Sequence, residues 1–521
     1  MSDNSQSIYE FVLLSFNEDG KIPETCQQLP DEESFFSGFS FGFVSGAFEG
    51  IMSSGKATKK KKIREAARIS TAVNHFADSL SASSKIDMCR ALRARYSINY
   101  LQNVIEEIRV SDDKVPEFHR QMEELVLTSP DRNVVKYGLY LMTLGEVDVN
   151  KEIILNLARH DEFTAHAIRA ALLVMKEPND IVFDIAKHVD GWGKISAVEF
   201  LSPDTEEIRY WLLRYGCTNS IMDNYLALIC ADRGQLREAL LADEVDDSLF
   251  SGAGVILRAL IEDTGPAGSI EDYQDGADVV GLYLSHADKR VLNIDDLLTI
   301  CAVNEMMNHQ EFPSEDNVAK GWTENLVKEC KTICHKIIAD ARWTEIIWSH
   351  IKADSHIANW KGRNAARKLH IDTWDYLFLR LQTVLEDSPD NEKDAYYYAL
   401  AETEDVERLQ RLVDHAEQNL PLETIASGPA LEMGLGLEYE NYSCLDTMLQ
   451  FLRNRDGIGI SLIEAGLWSK VVRNRNLALS VLETWDVQYY SPLIISRLQD
   501  LKKCEPDKKV KQRVIDLLKK L

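Results

Sequence analysis

The chain has 521 residues and a formal charge of −26, with 45% hydrophobic and 27% charged residues. This composition is ordinary for a folded protein, and the length exceeds a single compact core, so two or three domains or one solenoid are expected. The negative charge argues against a non-specific nucleic-acid binder, which needs a cationic face, and favours a basic protein partner.

Residues 1–34 are acidic and rich in turn formers. A helix is predicted over Ile8–Phe16, and Asn17–Gly20 and Pro23 end it. We expect no secretory signal, because no basic stretch leads into an apolar run, and no membrane span, because no apolar run is long enough. The nine scattered cysteines are typical of free thiols, which predicts a reducing, cytoplasmic location.

A segment rich in glycine and phenylalanine follows and completes an irregular N-terminal segment over residues 1–55. Gly38, Gly42, Gly46 and Gly50 stand four residues apart, so on a helix they would line one groove. Each interior glycine costs a helix roughly 0.8–1 kcal/mol relative to alanine, so such a helix requires a closely packed neighbour. The pattern favours a buried, tightly packed helix. A surface that contacts a ligand or partner, and membrane insertion, are the alternatives.

Positive charge is segregated into two clusters, which indicates either solvated helix faces or contact with an anionic partner. Residues 56–62 are also predicted to form an exposed link. The two clusters consist of Lys56, Lys59, Lys60, Lys61, Lys62, Arg64 and Arg68, and of Lys502, Lys503, Lys508, Lys509, Lys511 and Arg513.

Helical periodicity continues through most of the chain. Two amphipathic helices are predicted over Ile63–Arg109 with a break near Ser81, and one long helix over Asn317–Ala339. Residues 262–276 are rich in helix breakers and predict a boundary between two helical halves, 56–261 and 277–521. Strand alternation is lacking, so the predicted fold class is all-α.

The strongest pattern is a repeat. Helix-sized segments open at Asp131, Asp161 and Gly191, thirty residues apart, and another begins near Asn219. A helix pair of this length cannot bury its apolar side alone, so neighbouring pairs must stack. The sequence therefore predicts an α–α superhelix, or solenoid.

These units, with a polar helix cap, a central basic residue and a second helix rich in alanine and leucine, resemble bacterial HEAT-type repeats. The resemblance covers Asp131–Ala231 and Leu467–Leu521 best. It implies an armadillo-like solenoid that serves as an interaction scaffold and binds a protein partner on its concave face. A minority of such proteins are enzymes, including alkylpurine glycosylases with a basic, aromatic concave face, which the acidity of this chain does not match.

A second resemblance is narrower. Ser7-Ile-Tyr-Glu-Phe, Gly20-Lys-Ile-Pro and Phe43-Val-Ser-Gly-Ala-Phe-Glu-Gly-Ile are similar to bacterial proteins labelled limonene hydroxylase. That resemblance implies a monooxygenase, an oxidoreductase that uses NAD(P)H and O2 to convert the monoterpene limonene to carveol and perillyl alcohol.

Oxygen insertion needs a redox centre, since side chains alone do not activate dioxygen. The glycine pairs that begin at Gly252, Gly434 and Gly457 lack the third glycine of a dinucleotide-binding turn, and the Glu-x-x-His spacing of a di-iron bundle does not occur. The sequence therefore predicts neither catalytic nor cofactor-binding residues, and NAD(P)H is expected only if the hydroxylase resemblance holds.

Three weaker sets have spacings compatible with metal binding or, for the first set, haem attachment, but ordinary helix positions are the favoured explanation of each. In the second set, Asp161 is also a natural helix cap. The sets are Cys330, Cys334 and His335; His160, Asp161, Glu162 and His166; and His350, Asp354 and His356.

Five aromatic residues are concentrated in the repeat region, where they either fill the core or line an apolar groove. They are Trp192, Tyr210, Trp211, Tyr215 and Tyr225. Two functional hypotheses follow: an interaction scaffold, which the repeats favour, and a terpene hydroxylase, which only the narrower resemblance implies.

Overall fold

The computed structural model describes residues 6–32, 44–47, 59–93, 103–145, 149–242, 244–262, 267–309, 312–383 and 393–521. Within these residues the protein is all-α, as predicted, and the one β contact is an isolated bridge between Glu432 and Val471. The described residues form two compact units, unit 1 up to Asp340 and unit 2 from Ala341 onward.

Among the described residues, the first part of unit 1 contains α1 Ile8–Leu14, α2 Lys59–Ser79 and α3 Ala82–Leu92. A stack of helices follows: α4 Val115–Thr128, α5 Arg132–Leu141, α6 Lys151–Ala158, α7 Asp161–Val174, α8 Pro178–His188, α9 Gly191–Phe200, α10 Glu206–Trp211, α11 Asn224–Gly234, α12 Leu236–Leu241, α13 Asp247–Ile261, α14 Gly276–Ala287, α15 Ile294–Asn308, α16 Glu315–Ala319 and α17 Glu324–Ile338.

The stack has the two-layer order of a helical-repeat solenoid. In one layer, each helix packs against the next in the series α5, α7, α9, α11, α13, α15 and α17. In the other layer, each helix pairs with the one that follows it in the chain, as shown by α4, α6 and α8. The repeat prediction is confirmed here, because α5, α7 and α9 begin at residues 132, 161 and 191. Helices α5, α7 and α9 thus each bury one side against their own pair and another against the neighbouring repeat.

Helix α5 is covered on all sides. Asp131 caps it by accepting hydrogen bonds from the backbone N–H groups of Asn133 and Val134, and every residue from Arg132 to Leu141 is buried. A helix surrounded in this way normally carries only apolar side chains. The cations Arg132 and Lys136 on α5 therefore require buried anionic partners.

Unit 2 consists of α18 Arg342–Ile351, α19 His356–Lys368, α20 Trp374–Thr383, α21 Lys393–Ala401, α22 Val406–Asn419, α23 Leu422–Ile425, α24 Glu440–Phe451, α25 Ile460–Leu467, α26 Val472–Leu482, α27 Pro492–Cys504 and α28 Lys508–Leu518. Here α21, α24, α26 and α28 pack in succession, and α25 and α27 lie beside them. Unit 2 therefore has the same alternation of layers as unit 1.

Three local predictions are wrong. Gly46 lies in a turn with φ +77°, so the four glycines do not share one helix; Gly38, Gly42 and Gly50 lie outside the described residues. The helix predicted over Asn317–Ala339 is interrupted, because Gly321 adopts φ +95° between α16 and α17. Lys59–Lys62 belong to the first turns of α2 rather than to a link.

No helix in the described ranges is long and apolar enough to cross a membrane. The predicted domain boundaries, near residue 55 and within 262–276, stay predictions.

Candidate functional site

A buried charged cluster joins α5 to α7. The Lys136 ammonium donates to Oε1 of Glu162 at 2.7 Å, and the Arg132 guanidinium lies 3.6 Å from the same oxygen. All three side chains are at most 3% exposed. The cations come from α5 and the anion from α7, so the cluster joins two neighbouring repeats through buried charges.

The N-terminal segment supplies the remaining anions. Asp31 accepts hydrogen bonds from the backbone N–H and the Nε of Arg132, both at 2.9 Å, and Glu32 accepts from the same guanidinium. Farther along, the backbone N–H of Gly46 donates to Oε2 of Glu162 at 2.9 Å. The cluster therefore holds the N-terminal segment onto the repeat stack.

The protonation states of Glu162 and His160 are consistent with the buried charged cluster. Burial raises the pKa of Glu162, but Lys136 and Arg132 outweigh it and hold that pKa below the usual value. Burial lowers the pKa of His160 to about 4, so its imidazole is neutral at pH 7. The Nδ1 of this neutral ring accepts a hydrogen bond from the backbone N–H of Glu162 at 3.2 Å. His160, and not Asp161 as the sequence indicated, is therefore the N-cap of α7.

The carboxylate of Asp161 fits against the start of α9, where two glycines make room for it. A Cβ on Gly191 would lie 2.3 Å from Oδ2 of Asp161, and a Cβ on Gly193 would lie 2.4 Å from Oδ1. Side chains at these two positions would displace the carboxylate. The Gly-Trp-Gly sequence at 191–193 thus serves the contact between α7 and α9.

Burial raises the pKa of Asp161 to about 7, and the nearby carboxylates of Asp190 and Glu162 add to the rise. The backbone N–H groups of Gly193 and Trp192 oppose it by stabilising the charged form. Asp161 is therefore poised between its two protonation states at neutral pH, which is a common property of functional sites.

Gly193→Ala is expected to destabilise the protein by about 1–3 kcal/mol, because overpacking outweighs the better helix propensity of alanine. The added methyl group would also lie 2.7 Å from Oγ1 of Thr164. The matched control is Gly281→Ala in α14, where a Cβ meets only the end of Leu326 at 3.1 Å. Thermal unfolding of both variants checks this, and equal melting temperatures would contradict the close fit around Asp161.

Asp161→Asn is expected to raise the melting temperature at pH 8 by on the order of 5 °C and to have less effect at pH 5. The folded-state pKa, about 7, lies above the unfolded value of about 3.9. The contribution of Asp161 to the stability of the wild type is therefore fully present below pH 4, and it is lost as the pH rises from 4 to 7. Melting curves at pH 5 and 8 test this, with Asp180→Asn, at an exposed aspartate in the first turn of α8, as the control.

A cleft of about 910 Å³ opens beside Asp161 in unit 1, and we call it the Asp161 cleft. Residues from the N-terminal segment, including Lys21, Glu24 and Val44, form one wall, and the starts of α7 and α9 form another. Its volume lies in the range of binding pockets for small molecules or peptide side chains.

Exposed aromatic and apolar side chains border the Asp161 cleft. A π-helical turn, Leu212–Gly216, continues α10, and it places Tyr215 in the lining with 55% of its surface exposed. Lys194 holds this turn by donating to the carbonyl oxygens of Tyr215, at 2.9 Å, and Thr218, at 2.6 Å. Because π-helical turns occur frequently at functional sites, Tyr215 is the side chain we single out for binding.

The five predicted aromatic residues divide between the core and the cleft. Trp192 is buried and contacts Tyr225, with ring centroids 5.2 Å apart. Trp211 and Tyr215 line the Asp161 cleft, and Tyr210 is exposed beneath the guanidinium of Arg214. The groove interpretation therefore applies to two of these residues.

The three sets whose spacings are compatible with metal binding do not converge. Among the described residues, no group of three or more His, Cys, Asp or Glu side chains is arranged to hold a metal ion. His166 packs edge-on against Tyr140, and His350 contacts the carbonyl oxygen of Ile346 through Nδ1. Asp354 and His356 are exposed.

Cys330 and Cys334 lie on the buried side of α17, whereas His335 is exposed. Burial raises the pKa of Cys330 to about 11 and that of Cys334 to about 12, so both thiols are protonated at neutral pH. Both thiols therefore pack in the interior of unit 1 as neutral groups.

A second groove, of about 540 Å³, lies within unit 2 among α19, α20 and α21. It exposes 48% of Trp360 and 46% of Tyr398. Arg367, which also lines it, lies 3.4 Å from Glu402. Its charged residues are largely occupied with one another, so it is less open to a charged partner than the Asp161 cleft.

The basic clusters predicted from the sequence have different surroundings. In the second cluster Lys502, Lys503, Lys508 and Lys509 are exposed on α27 and α28, and Arg513 pairs with Glu483 at 2.8 Å. Arg64 of the first cluster is exposed on α2. Contact with an anionic partner stays a prediction.

The residues that carry the hydroxylase resemblance lie in the N-terminal part of unit 1. Ser7 caps α1, Gly20 adopts φ +68° with its carbonyl oxygen bonded to Arg159, and Gly46 contacts Glu162. Phe43 and residues 48–51 lie outside the described residues. Limonene hydroxylation with NAD(P)H and O2 stays a prediction that rests on the resemblance.

Comparison of the chain with models of protein families, with curated proteins and with solved structures finds no match.

Proposed function

We propose that the protein is a helical-repeat interaction scaffold that binds a protein partner in the Asp161 cleft. The observation that carries this proposal is the exposed Tyr215, which lines the cleft together with apolar Val44 and several charged side chains. Binding hot spots are typically aromatic side chains in such pockets, surrounded by a polar rim.

The rim of the cleft has charges of both signs. Lys21 and Lys187 are exposed on it, as are Glu24 and Asp190. A mixed rim favours a partner that presents its own pattern of charges, because complementary pairs give specificity more than affinity. Over longer distances, the net charge of −26 favours approach of a basic protein.

Affinity capture from the cells that produce the protein tests this proposal. Tyr215→Ala is expected to lose at least ten-fold of a partner that the wild type retains, since a hot-spot side chain contributes at least about 2 kcal/mol. The control is Tyr489→Ala, which removes a tyrosine that is also exposed, at 42%, but belongs to unit 2.

The same proteins retained by the wild type and Tyr215→Ala would contradict the proposal. Loss on Trp360→Ala alone would place binding in the groove of unit 2 instead. Each substitution changes an exposed side chain, so we expect the melting temperatures of the variants to match that of the wild type. A variant that keeps its melting temperature but loses the partner has lost binding and not folding.

A further inference from the structure

The carboxylate of Asp161 lines the Asp161 cleft, although this residue is only 8% exposed. The nearby N–H groups of Trp192 and Gly193 stabilise its charge, but its enclosed Oδ1 has no partner at hydrogen-bond geometry among the described residues. A buried carboxylate in this state is strongly stabilised by a cation that pairs with it.

Most of the cations that line the cleft are engaged by other groups. Arg159 donates to a backbone carbonyl oxygen at 3.1 Å, and Lys194 donates to two others. The ammonium of Lys187 lies 4.4 Å from the centroid of an aromatic ring. Of the lysines and arginines that line it in the described part of the chain, only Lys21 has a side chain without such a contact.

Three carboxylates of the cleft, in contrast, are open to a cation. Asp161 lies inside it, and Asp190 and Glu24 are exposed on its rim. Within the ranges that the structure describes, none of the three has a lysine or arginine at ion-pair distance. The charge that is not neutralised within the cleft is therefore mainly negative, and it is complementary to a cationic group of a partner.

The carboxylate of Asp161 is accessible to a ligand through one oxygen. Oδ1 is enclosed, whereas Oδ2 lies beside Gly191, where a Cβ would be 2.3 Å from Oδ2 and 3.4 Å from Oγ of Ser220. An arginine fork needs both carboxylate oxygens for its two parallel hydrogen bonds, whereas an ammonium donates to one oxygen at a time. The exposed hydroxyl of Ser220, which also lines the cleft, can accept a second hydrogen bond from the same ammonium.

We propose that the Asp161 cleft binds a lysine side chain of the protein partner. The ammonium pairs with Oδ2 of Asp161, and the aliphatic stem lies along the ring of Tyr215, which is 55% exposed in the same cleft. One ligand thus uses both the buried carboxylate and the exposed aromatic side chain. The identity of the partner rests on the function proposed above, whereas the preference of the cleft for lysine does not.

Ligand-observed NMR with blocked pentapeptides and the full-length protein tests this proposal. The probes are acetyl-Ala-Ala-Lys-Ala-Ala-amide and the same peptide with norleucine or arginine at its centre. The wild type is expected to bind the lysine peptide about ten-fold more tightly than the norleucine peptide, which lacks the ammonium, and more tightly than the arginine peptide. Measurement at pH 8 keeps Asp161 mainly ionised, because burial raises its pKa to about 7.

Asp161→Asn is expected to weaken binding of the lysine peptide about ten-fold and to leave binding of the norleucine peptide unchanged. Because this variant is expected to be more stable than the wild type at pH 8, unfolding does not account for the loss. The control is Asp180→Asn, which removes an exposed carboxylate outside the cleft and should bind the lysine peptide as the wild type does.

Equal affinity of the wild type for the lysine and norleucine peptides would overturn the proposal, as would tighter binding of the arginine peptide. Equal affinity of the wild type and Asp161→Asn for the lysine peptide would also overturn it. The peptides need no cellular partner, so a partner that is lost on Tyr215→Ala but kept by Asp161→Asn would support the scaffold and contradict the lysine site. Lysine-selective peptide binding without any captured protein would support the lysine site and contradict the scaffold.

Discussion

Glu162→Ala is expected to lower the free energy of unfolding by about 3–5 kcal/mol, because it removes the buried anion that pairs with Lys136. Lys136, which is 0% exposed, would lose the carboxylate that accepts its hydrogen bond at 2.7 Å. The same substitution removes the acceptor for the Gly46 N–H. Urea denaturation measures the loss.

The matched control is Glu152→Ala, which removes an exposed glutamate from the first turn of α6 and should cost about 0.5 kcal/mol or less. Adding Lys136→Met to Glu162→Ala should recover part of the lost stability, since it removes the buried cation that paired with Glu162 while filling a similar volume. An effect of Glu162→Ala as small as that of Glu152→Ala would contradict the assignment of the cluster.

Arg475→Met is expected to lower stability by a similar amount, about 3–5 kcal/mol, through the corresponding ion pair of unit 2. The Nε and Nη2 of Arg475 donate to the two carboxylate oxygens of Glu505, both at 2.8 Å, and both side chains are 0% exposed. The same guanidinium bonds to the carbonyl oxygens of Ser469 and Ala430, each at 2.7 Å. Glu505 would therefore be left as a buried, uncompensated anion.

The comparison variant is Arg453→Met, at an exposed arginine on the surface of unit 2, with an expected effect within about 0.5 kcal/mol. The double variant Arg475→Met with Glu505→Leu should be more stable than Arg475→Met alone, as for other buried pairs replaced by apolar groups. Equal destabilisation by Arg475→Met and Arg453→Met would contradict the burial of the ion pair between Arg475 and Glu505.

The spacing of the helical repeats was predictable from the sequence, because a residue that caps the start of a helix can be recognised from its local sequence. Asp131 caps α5 by accepting hydrogen bonds from backbone N–H groups two and three residues ahead. Side-chain caps of this kind also begin α6, α10 and α13, and the apolar periodicity between the caps predicts the helices. All-α stacking follows from those two features alone.

The candidate site was only partly predictable, because its contacts join distant parts of the chain. Arg132 and Asp31 are 101 residues apart, and Gly46 and Glu162 are 116 residues apart. The cluster from His160 to His166 has the spacing of metal ligands, but spacing does not reveal that Lys136 already neutralises Glu162. The sequence signal that could have indicated the buried charged cluster is the central basic residue of the repeat. A cation on an otherwise apolar helix requires a buried anion.

Gly46 is a second case in which the sequence did not reveal a contact with distant residues. Its spacing from the other glycines suggested a helix, whereas its function is to bring backbone against Asp161 and Trp192 at φ +77°. The prediction of close packing at this glycine agrees with the structure, and the predicted helix does not. Only the partners, which are distant in sequence, distinguish a helix groove from a turn.

Site-specific photo-crosslinking at position 215 tests most directly whether the Asp161 cleft binds a protein partner. A benzophenone side chain in place of Tyr215 is expected to form a covalent adduct with one protein, while the same side chain at Tyr489 forms none. Adducts of equal yield at both positions, or at position 489 only, would contradict partner binding in the cleft.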